Sequence, residues 1–370
     1  MALLVAGTLA AAPVVNPPPA QANLPVGSGI KNAQALLRNA LPIDDAKGGP
    51  AIREIQRSLE AVSEALRIPG KKSLGPVAKD VKRASTVLDK KAGDIAASFA
   101  PDKKEAGLAA IEGLKSALVD FRKVVEADDK QAVPDAERAA LSYVSTIEES
   151  MMKGMAFDVP TEYQNGPLLL GRAELEMDIK LKAVASNGVT GGTFRIVLDG
   201  YNAPVSAGNF ADLVLRKFYD GVPIQRADGF VVQFGNPSGT KAEGFVPEGS
   251  EEVRRIPFEY RIATDKAPVY SLTCEDLARC NDAPALPFNA FGTLAVARAE
   301  FEVDSGSSQM FFLLKESELT PTGSNLLDGR YAVFGYITEG ADLLNDMRVN
   351  DQITGVRVVS GGENLKNSVL

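Results

Sequence analysis

The stretch YDGVPIQRADGFVVQFG, residues 219–235, decides the fold of the second half of the chain. Short apolar runs here are separated by glycines, which is typical of short strands joined by turns. Upstream, residues 175–181 alternate apolar and charged side chains, which predicts a strand with one solvent-exposed face. Strands interrupted by few helices and joined by glycine turns indicate a closed antiparallel β-barrel.

The first half of the chain has a helical period instead. Apolar residues recur every three or four positions, and the first such stripe ends at Leu66. Asp102 and Glu105 follow Pro101 with the spacing of a capping box, which predicts a helix start. The four stripes begin at Ile52, Val77, Leu108 and Leu141. Four amphipathic helices joined by short breaks, such as Pro69-Gly70, form an antiparallel bundle.

We therefore predict an α+β chain with two domains. An N-terminal all-α, four-helix-type bundle occupies residues 23–157, and a linker follows at residues 158–172. A closed antiparallel β-barrel with flanking helices occupies residues 173–370, with a less regular insert at about 235–291. The length of 370 residues is comfortable for two such domains.

Residues 1–22 are predicted to be a targeting segment. Residues 2–15 are apolar, and Ala20-Gln21-Ala22 matches an A-x-A cleavage pattern. The run is shorter than the roughly 20 apolar residues that a membrane-spanning helix needs. A flexible N-terminal tail is the alternative interpretation.

The composition excludes several kinds of site. The chain has no histidine, which rules out a Ser-His-Asp triad, a histidine-bearing zinc site and an imidazole general base. We expect no metal and no cofactor. The net charge of −8 disfavours binding to a phosphate backbone, so nucleic acid is not an expected partner.

The two cysteines, Cys274 and Cys280, lie within the irregular insert. Their spacing of six positions fits a small-loop disulfide in an oxidising compartment, and it fits two free thiols equally well.

Four stretches in the second half resemble the cyclophilin family of peptidyl-prolyl isomerases. They are PVSAGNF at 204–210, residues 219–235, GTLAVAR at 292–298 with SSQMF at 307–311, and LDGRYAVFG at 327–335. Each stretch is weakly specific alone, but the four occur in the family's order. The resemblance implies the cyclophilin barrel and its substrate groove.

Prolyl isomerisation needs no histidine. Rotation about an Xaa-Pro bond has a barrier of about 18–20 kcal/mol, because amide resonance is lost in the twisted state. A cation that contacts the prolyl nitrogen only in that state lowers the barrier selectively. The resemblance implies that Arg226 is this catalytic cation and that Gln233 holds its guanidinium.

The resemblance also implies a set of groove residues. Phe230 and Phe311 correspond to aromatic walls of the proline pocket, although plain barrel core is the alternative for both. The remaining substrate-binding residues are Leu327 beside that pocket, Gln309 as a polar groove residue and Ala297 as a backbone contact.

Four positions depart from the family pattern around this groove. Gln225 and Tyr331 each replace a histidine, Arg298 replaces an asparagine, and Leu326 replaces a tryptophan. The loop after Arg226 is also one residue short. These departures predict an intact barrel whose groove fits small Xaa-Pro peptides poorly.

The complete layout resembles one branch of the family, the large multidomain cyclophilins of the thylakoid lumen, whose helical bundle is similar to the photosystem II subunit PsbQ. The branch implies a lumenal protein that assists assembly and repair of photosystem II. The implied partners are proline-containing lumenal segments, among them photosystem II loops, and a thylakoid phosphatase. An intramolecular contact in which the bundle restrains the groove is also implied. A general lumenal isomerase is the alternative function.

Overall fold

A computed structural model describes residues 30–44, 48–67, 73–236, 243–315 and 325–368. The expected targeting segment and the Pro69-Gly70 break lie outside these residues. Across the described helices, no segment has both the length and the apolar character that a membrane crossing requires.

Five α-helices occupy the first half of the described chain. They are α1 (Ala33–Ala40), α2 (Gly49–Arg67), α3 (Gly75–Ala96), α4 (Lys104–Glu126) and α5 (Val133–Ser150). The last four bury their apolar stripes against one another in a single core that includes Ile55, Val81, Leu114 and Val144. Their predicted helical period is therefore confirmed.

Two details of the bundle differ from expectation. Leu66 and Leu108 are exposed, although the helical spacing placed both in the buried stripes. On α4 the buried face runs through Gly107, Ile111 and Leu114 instead. The predicted capping box is wrong. Asp102 lies in a 3₁₀ helix (Pro101–Lys103), and no side chain caps the start of α4.

The second half of the chain forms strands around one helix, α6 (Pro204–Leu215). The strands are β1 (Leu168–Leu169), β2 (Arg172–Lys180), β3 (Gly191–Asp199), β4 (Arg226–Ala227), β5 (Val231–Phe234), β6 (Glu259–Tyr260), β7 (Val269–Tyr270), β8 (Thr293–Val296), β9 (Met310–Leu313), β10 (Val333–Glu339), β11 (Gln352–Ser360) and β12 (Leu365–Lys366). Eight of them form an antiparallel sheet in the order β11-β2-β3-β10-β8-β9-β5-β4. The short strands β1 and β12, and β6 and β7, pair separately.

The sheet is curled, but the expected closed barrel is not confirmed. Its edge strands, β11 and β4, are not paired with each other. Between them the chain at 221–224 exchanges backbone hydrogen bonds with residues 350–353, and only Pro223 and Gln352 form an isolated bridge. Pro223 and Gln352 form a non-hydrogen-bonded pair, because the bonds on either side of it run from Ile353 to the Val222 carbonyl and from Ile224 to the Asp351 carbonyl. Proline is tolerated at such a position, since an N–H there would point away from the partner strand.

The concave face of the sheet packs around α6. Phe194, Phe312 and Phe334 are fully buried there, and the ring of Phe210 on α6 lies 5.5 Å from that of Phe334. Strand alternation explains the arrangement, because successive side chains point to opposite faces and every second residue of β2 is apolar.

The helical region and the sheet are joined through a buried arginine on β2. The Arg172 guanidinium contacts the buried carboxylate of Asp199 on β3 at 2.6 Å. It also contacts Glu149 of α5 at 2.9 Å and donates to the Leu37 carbonyl of α1 at 2.5 Å. Burial opposes the charge of Arg172, but the two carboxylates outweigh it and raise the arginine pKa above its ordinary value.

Helix α1 extends this junction. Leu36, Leu37 and Ala40 share the hydrophobic core of the sheet rather than that of the bundle. At the end of α1 the Ala40 carbonyl accepts hydrogen bonds from Asn202 and Arg261. The polar contacts described above between α1 or α5 and the second half of the chain therefore lie at this junction. The expected packing of the bundle over the groove is not seen among them.

Breaking the buried pair tests its role. We expect Arg172→Met to lower the free energy of unfolding by about 3–5 kcal/mol, because the buried Asp199 would lose the cation with which it is in direct contact. Urea unfolding followed by tyrosine fluorescence measures the change.

Arg138→Met is the matched control, since Arg138 pairs with Asp135 at 3.0 Å on the exposed surface of α5. Its expected cost is below about 1 kcal/mol. An equal loss in the two variants would contradict the proposed role of the buried pair.

A buried carboxylate also caps α6. Glu259 on β6 accepts hydrogen bonds from the backbone N–H groups of Val205 and Ser206 at 3.2 and 2.9 Å. Burial raises the Glu259 pKa to about 7, although both N–H groups favour the charged form. The folded state therefore binds this proton more tightly than the unfolded chain, and stability falls as the pH rises from about 4.5 to about 7.

Glu259→Gln removes the titrating proton but keeps one acceptor oxygen. We expect the variant to match the parent protein at pH 5 and to exceed its unfolding free energy at pH 8 by about 1–3 kcal/mol. Urea unfolding at both pH values measures this. Glu112→Gln, at an exposed position of α4, is the control, and an identical pH dependence in all three proteins would refute the assignment.

Candidate functional site

The strand register brings three of the expected site residues into one row. Arg226 on β4 pairs directly with Gln233 on β5, and Gln233 pairs with Phe311 on β9. Directly paired residues of antiparallel strands project from the same face of a sheet. Ala297 and Gln309 are joined by a backbone hydrogen bond and lie two residues along from this row, on the same face.

The expected catalytic arginine has a carboxylate partner. The Arg226 guanidinium contacts the Asp228 carboxylate at 2.5 and 2.6 Å. The other Asp228 oxygen accepts the backbone N–H groups of Phe230 and Val231, so the hairpin turn fixes this carboxylate in place. Partial burial opposes its ionisation, but the donors from Val231, Phe230 and Arg226 lower the Asp228 pKa below its usual range.

The expected contact between Gln233 and Arg226 is not formed. The Gln233 side-chain amide instead donates to Oε1 of Gln309 at 2.9 Å. Gln309 in turn donates to the Glu243 carbonyl at 3.2 Å. The two glutamines thus form a polar chain across β5 and β9, while the arginine turns toward the hairpin.

An aromatic cluster lies beside this polar row. The Phe311 ring stacks on Phe288 at 5.9 Å and meets Tyr331 edge-on at 5.5 Å. Only 5% of Phe311 is exposed as a result. Leu327 packs against the same core. The protein's own rings thus cover much of the Phe311 surface to which the resemblance assigns the proline ring.

Arg298 closes the other side of this cluster. Its guanidinium lies 5.1 Å above the Tyr331 ring, within the range of a cation–π contact. Its Nε donates to the Arg330 carbonyl at 2.8 Å, and Nη1 donates to the carbonyls of Ala299 and Glu300. These bonds occupy donors that a bound peptide backbone would otherwise use.

Three other expected groove residues have different environments. The Gln225 side-chain amide both donates to and accepts from the backbone of Asn236, so its hydrogen-bonding groups are occupied within the protein. A substrate contact of Gln225 therefore stays a prediction, and it would require the amide to leave the Asn236 backbone. Phe230 is exposed at the hairpin turn and lies outside the ring cluster. Leu326 is 64% exposed, so an apolar side chain is available at the surface beside Leu327.

A disulfide supports the loop that contains Leu327 and Tyr331. Cys274 and Cys280 are bonded, and Cys274 is buried. The Cys274 N–H donates to the Gly329 carbonyl at 2.9 Å. Gly329 has a φ of +70°, and a Cβ there would lie 2.5 Å from the Cβ of Cys274. Only glycine allows the groove loop to approach the disulfide this closely.

Two family models match the chain. Residues 183–362 match the model described as cyclophilin type peptidyl-prolyl cis-trans isomerase/CLD, and residues 32–152 match the model for the PsbQ-like domain of CYP38-like peptidyl-prolyl cis-trans isomerases. The chain is 51% identical to peptidyl-prolyl cis-trans isomerase CYP38, chloroplastic, of Arabidopsis thaliana, over 92% of this chain and 76% of that protein. The chain belongs to the cyclophilin-type peptidyl-prolyl cis-trans isomerases.

Two further relatives match nearly the whole length of this chain. A Synechocystis protein named as a thylakoid lumen peptidyl-prolyl cis-trans isomerase is 39% identical over 95% of this chain and 89% of its own. CYP37 of Arabidopsis thaliana, also chloroplastic, is 30% identical over 90% of this chain and 71% of its own. These names confirm the compartment predicted from the sequence for this cyclophilin.

Sequence reasoning missed two residues of the cyclophilin site. Asp228 carries a local signal, because Asp-Gly is a turn dipeptide and this one begins two positions after Arg226. Phe288, which stacks on Phe311, lies in an irregular proline-containing stretch without periodicity. No pattern around Phe288 predicts its position.

The disulfide gives a direct test of the loop's support. We expect no free thiol in the unfolded, unreduced protein and two after reduction with dithiothreitol. Because the closed loop is short, reduction should cost about 2 kcal/mol of stability.

Thiol titration and urea unfolding measure the two effects. The double variant Cys274→Ala/Cys280→Ala is the control and should show no response to dithiothreitol. Two thiols that titrate before reduction would contradict the assignment.

Proposed function

We propose that this cyclophilin binds Xaa-Pro segments of thylakoid lumen proteins and holds them during assembly and repair of photosystem II, with little isomerisation. The main observation in support of this proposal is the ion pair between Arg226 and Asp228. The recognition surface consists of the row formed by Arg226, Gln233 and Phe311, with Gln309 beside it.

The ion pair bears directly on catalysis. A cation accelerates isomerisation only when it contacts the prolyl nitrogen more strongly in the twisted state than in the ground state. Asp228 already neutralises Arg226, and the turn holds that carboxylate through two backbone N–H groups. Arg226 must leave this partner before it reaches a substrate, which reduces its differential contribution.

The covered aromatic wall supports binding with slow turnover. A proline ring seated on Phe311 would have to displace Tyr331, whose other face lies under the Arg298 guanidinium. In contrast, Arg226 and the apolar side chains of Phe230 and Leu326 remain exposed. A partner segment can therefore contact the rim of the groove without filling the proline pocket.

An active lumenal isomerase is the second candidate function. The direct register of Arg226, Gln233 and Phe311 favours it, because these are the residues that the family resemblance assigns to the catalytic row. The two candidates differ in the rate of turnover and agree on the binding surface.

The experiment uses the full chain, because α1 packs into the core of the sheet. We expect it to bind a fluorescent Xaa-Pro peptide from a photosystem II lumenal loop and to accelerate its isomerisation little. Asp228→Asn keeps an acceptor for the turn but frees Arg226, so kcat/KM should rise about two- to fivefold, the value of an exposed ion pair. Fluorescence anisotropy and NMR exchange on the same peptide measure binding and rate.

Arg226→Ala, alone and combined with Asp228→Asn, is the control and should abolish the gain. Fast isomerisation by the parent chain that Arg226→Ala removes would favour the enzyme over the holding function. Equal binding of a Pro→Ala peptide would count against recognition of proline segments.

A further inference from the structure

The outer face of α3 and the start of α2 enclose a groove of about 680 Å³ on the helical region. Pro50 and Ala51 of α2 and Val87 of α3 contribute apolar surface to it. Ala51 is buried, Val87 is partly buried and Pro50 is exposed, so part of this apolar surface is recessed between the helices. We call these lining residues, with the basic side chains described next, the α2–α3 groove.

Basic side chains border the groove along α3. They are Lys79, Lys82, Arg83, Lys90 and Lys91, and all five are exposed. Lys79, Lys82 and Lys90 lie on one face of the helix, opposite to its buried residues, and Thr86 lies between them on that face. The basic row therefore follows the length of α3 instead of forming a single point of charge.

Most of this positive charge is not neutralised locally. Arg83 pairs with Glu54 and Lys91 pairs with Asp94, both at exposed positions where ion pairs contribute little. In the described parts of the chain, Lys79, Lys82 and Lys90 take part in no ion pair. The whole chain has a net charge of −8, so a row of free lysines is not what its average composition produces.

The combination selects one class of occupant. Recessed apolar surface bordered by lysines is complementary to an extended or helical protein segment with apolar anchors and flanking Asp or Glu side chains. A membrane-bound amphipathic helix instead projects its large apolar side chains outward, into the lipid. Here the apolar side chains are small, and the lysine and arginine side chains share the exposed border of the groove with Glu54 and Thr86.

We propose that the α2–α3 groove is a docking site for an acidic amphipathic segment of a partner protein. This site is separate in sequence and composition from the Xaa-Pro surface on the sheet. The cyclophilin thereby holds one partner through two chemically different surfaces, or two partners at once.

The test uses the full chain and a fluorescein-labelled, 18-residue helical peptide with leucines on one face and glutamates on the other. We expect measurable binding at low salt that weakens steeply between about 50 and 500 mM NaCl, because salt screens exposed charges. The triple variant Lys79→Gln/Lys82→Gln/Lys90→Gln should raise the Kd about tenfold, which corresponds to modest losses at three exposed pairs.

Lys115→Gln/Lys123→Gln/Lys130→Gln is the matched control, since it removes the same charge from exposed positions on and just after α4. It should change the Kd less than twofold. Equal weakening by both triple variants would overturn the proposal in favour of general charge attraction. Absence of peptide binding would also overturn it. In that case, binding to anionic lipid vesicles or self-association in sedimentation that depends on the groove lysines would show that a membrane or a second copy of the chain is the occupant instead.

Discussion

The contact between Arg172 and Asp199 is the interaction on which the arrangement of this molecule depends. Both side chains are buried, and a buried charge without a partner is far more costly than a paired one. The same guanidinium reaches Glu149 of α5 and the Leu37 carbonyl of α1. One side chain on the sheet therefore holds both α1 and α5. This contact fixes the position of the bundle against β2 and β3.

The row of Arg226, Gln233 and Phe311 depends instead on contacts within the sheet. The groove row is positioned by the pairing of β4, β5 and β9, and its electrostatics are set by the four-residue turn after Arg226. Asp228 serves both purposes, since one oxygen holds the turn and the other holds the arginine. The same short turn that completes the hairpin thus also restrains the Arg226 guanidinium.

Much of the fold could be predicted from the sequence, because the spacing of apolar residues along a helix or strand is a local property of the chain. The alternation at residues 175–181 and the stripe through Ile52 and Ile55 placed their buried faces correctly. Closure of the barrel could not be predicted in this way. It depends on how the chain around Pro223 meets β11, more than a hundred residues later, and a contact between segments that far apart leaves no local pattern in the sequence.

The candidate site shows the same division. The sequence alone determined which residue types occupy the groove, that no histidine takes part, and that the two halves have separate helical and strand periods. Only the tertiary structure decided which partner each polar side chain takes: Asp228 for Arg226, Gln309 for Gln233, and the backbone of Asn236 for Gln225. The physical reason is that ion pairs and hydrogen bonds form within about 3 Å, and spacing along the chain does not specify distances that short between side chains on different strands and turns.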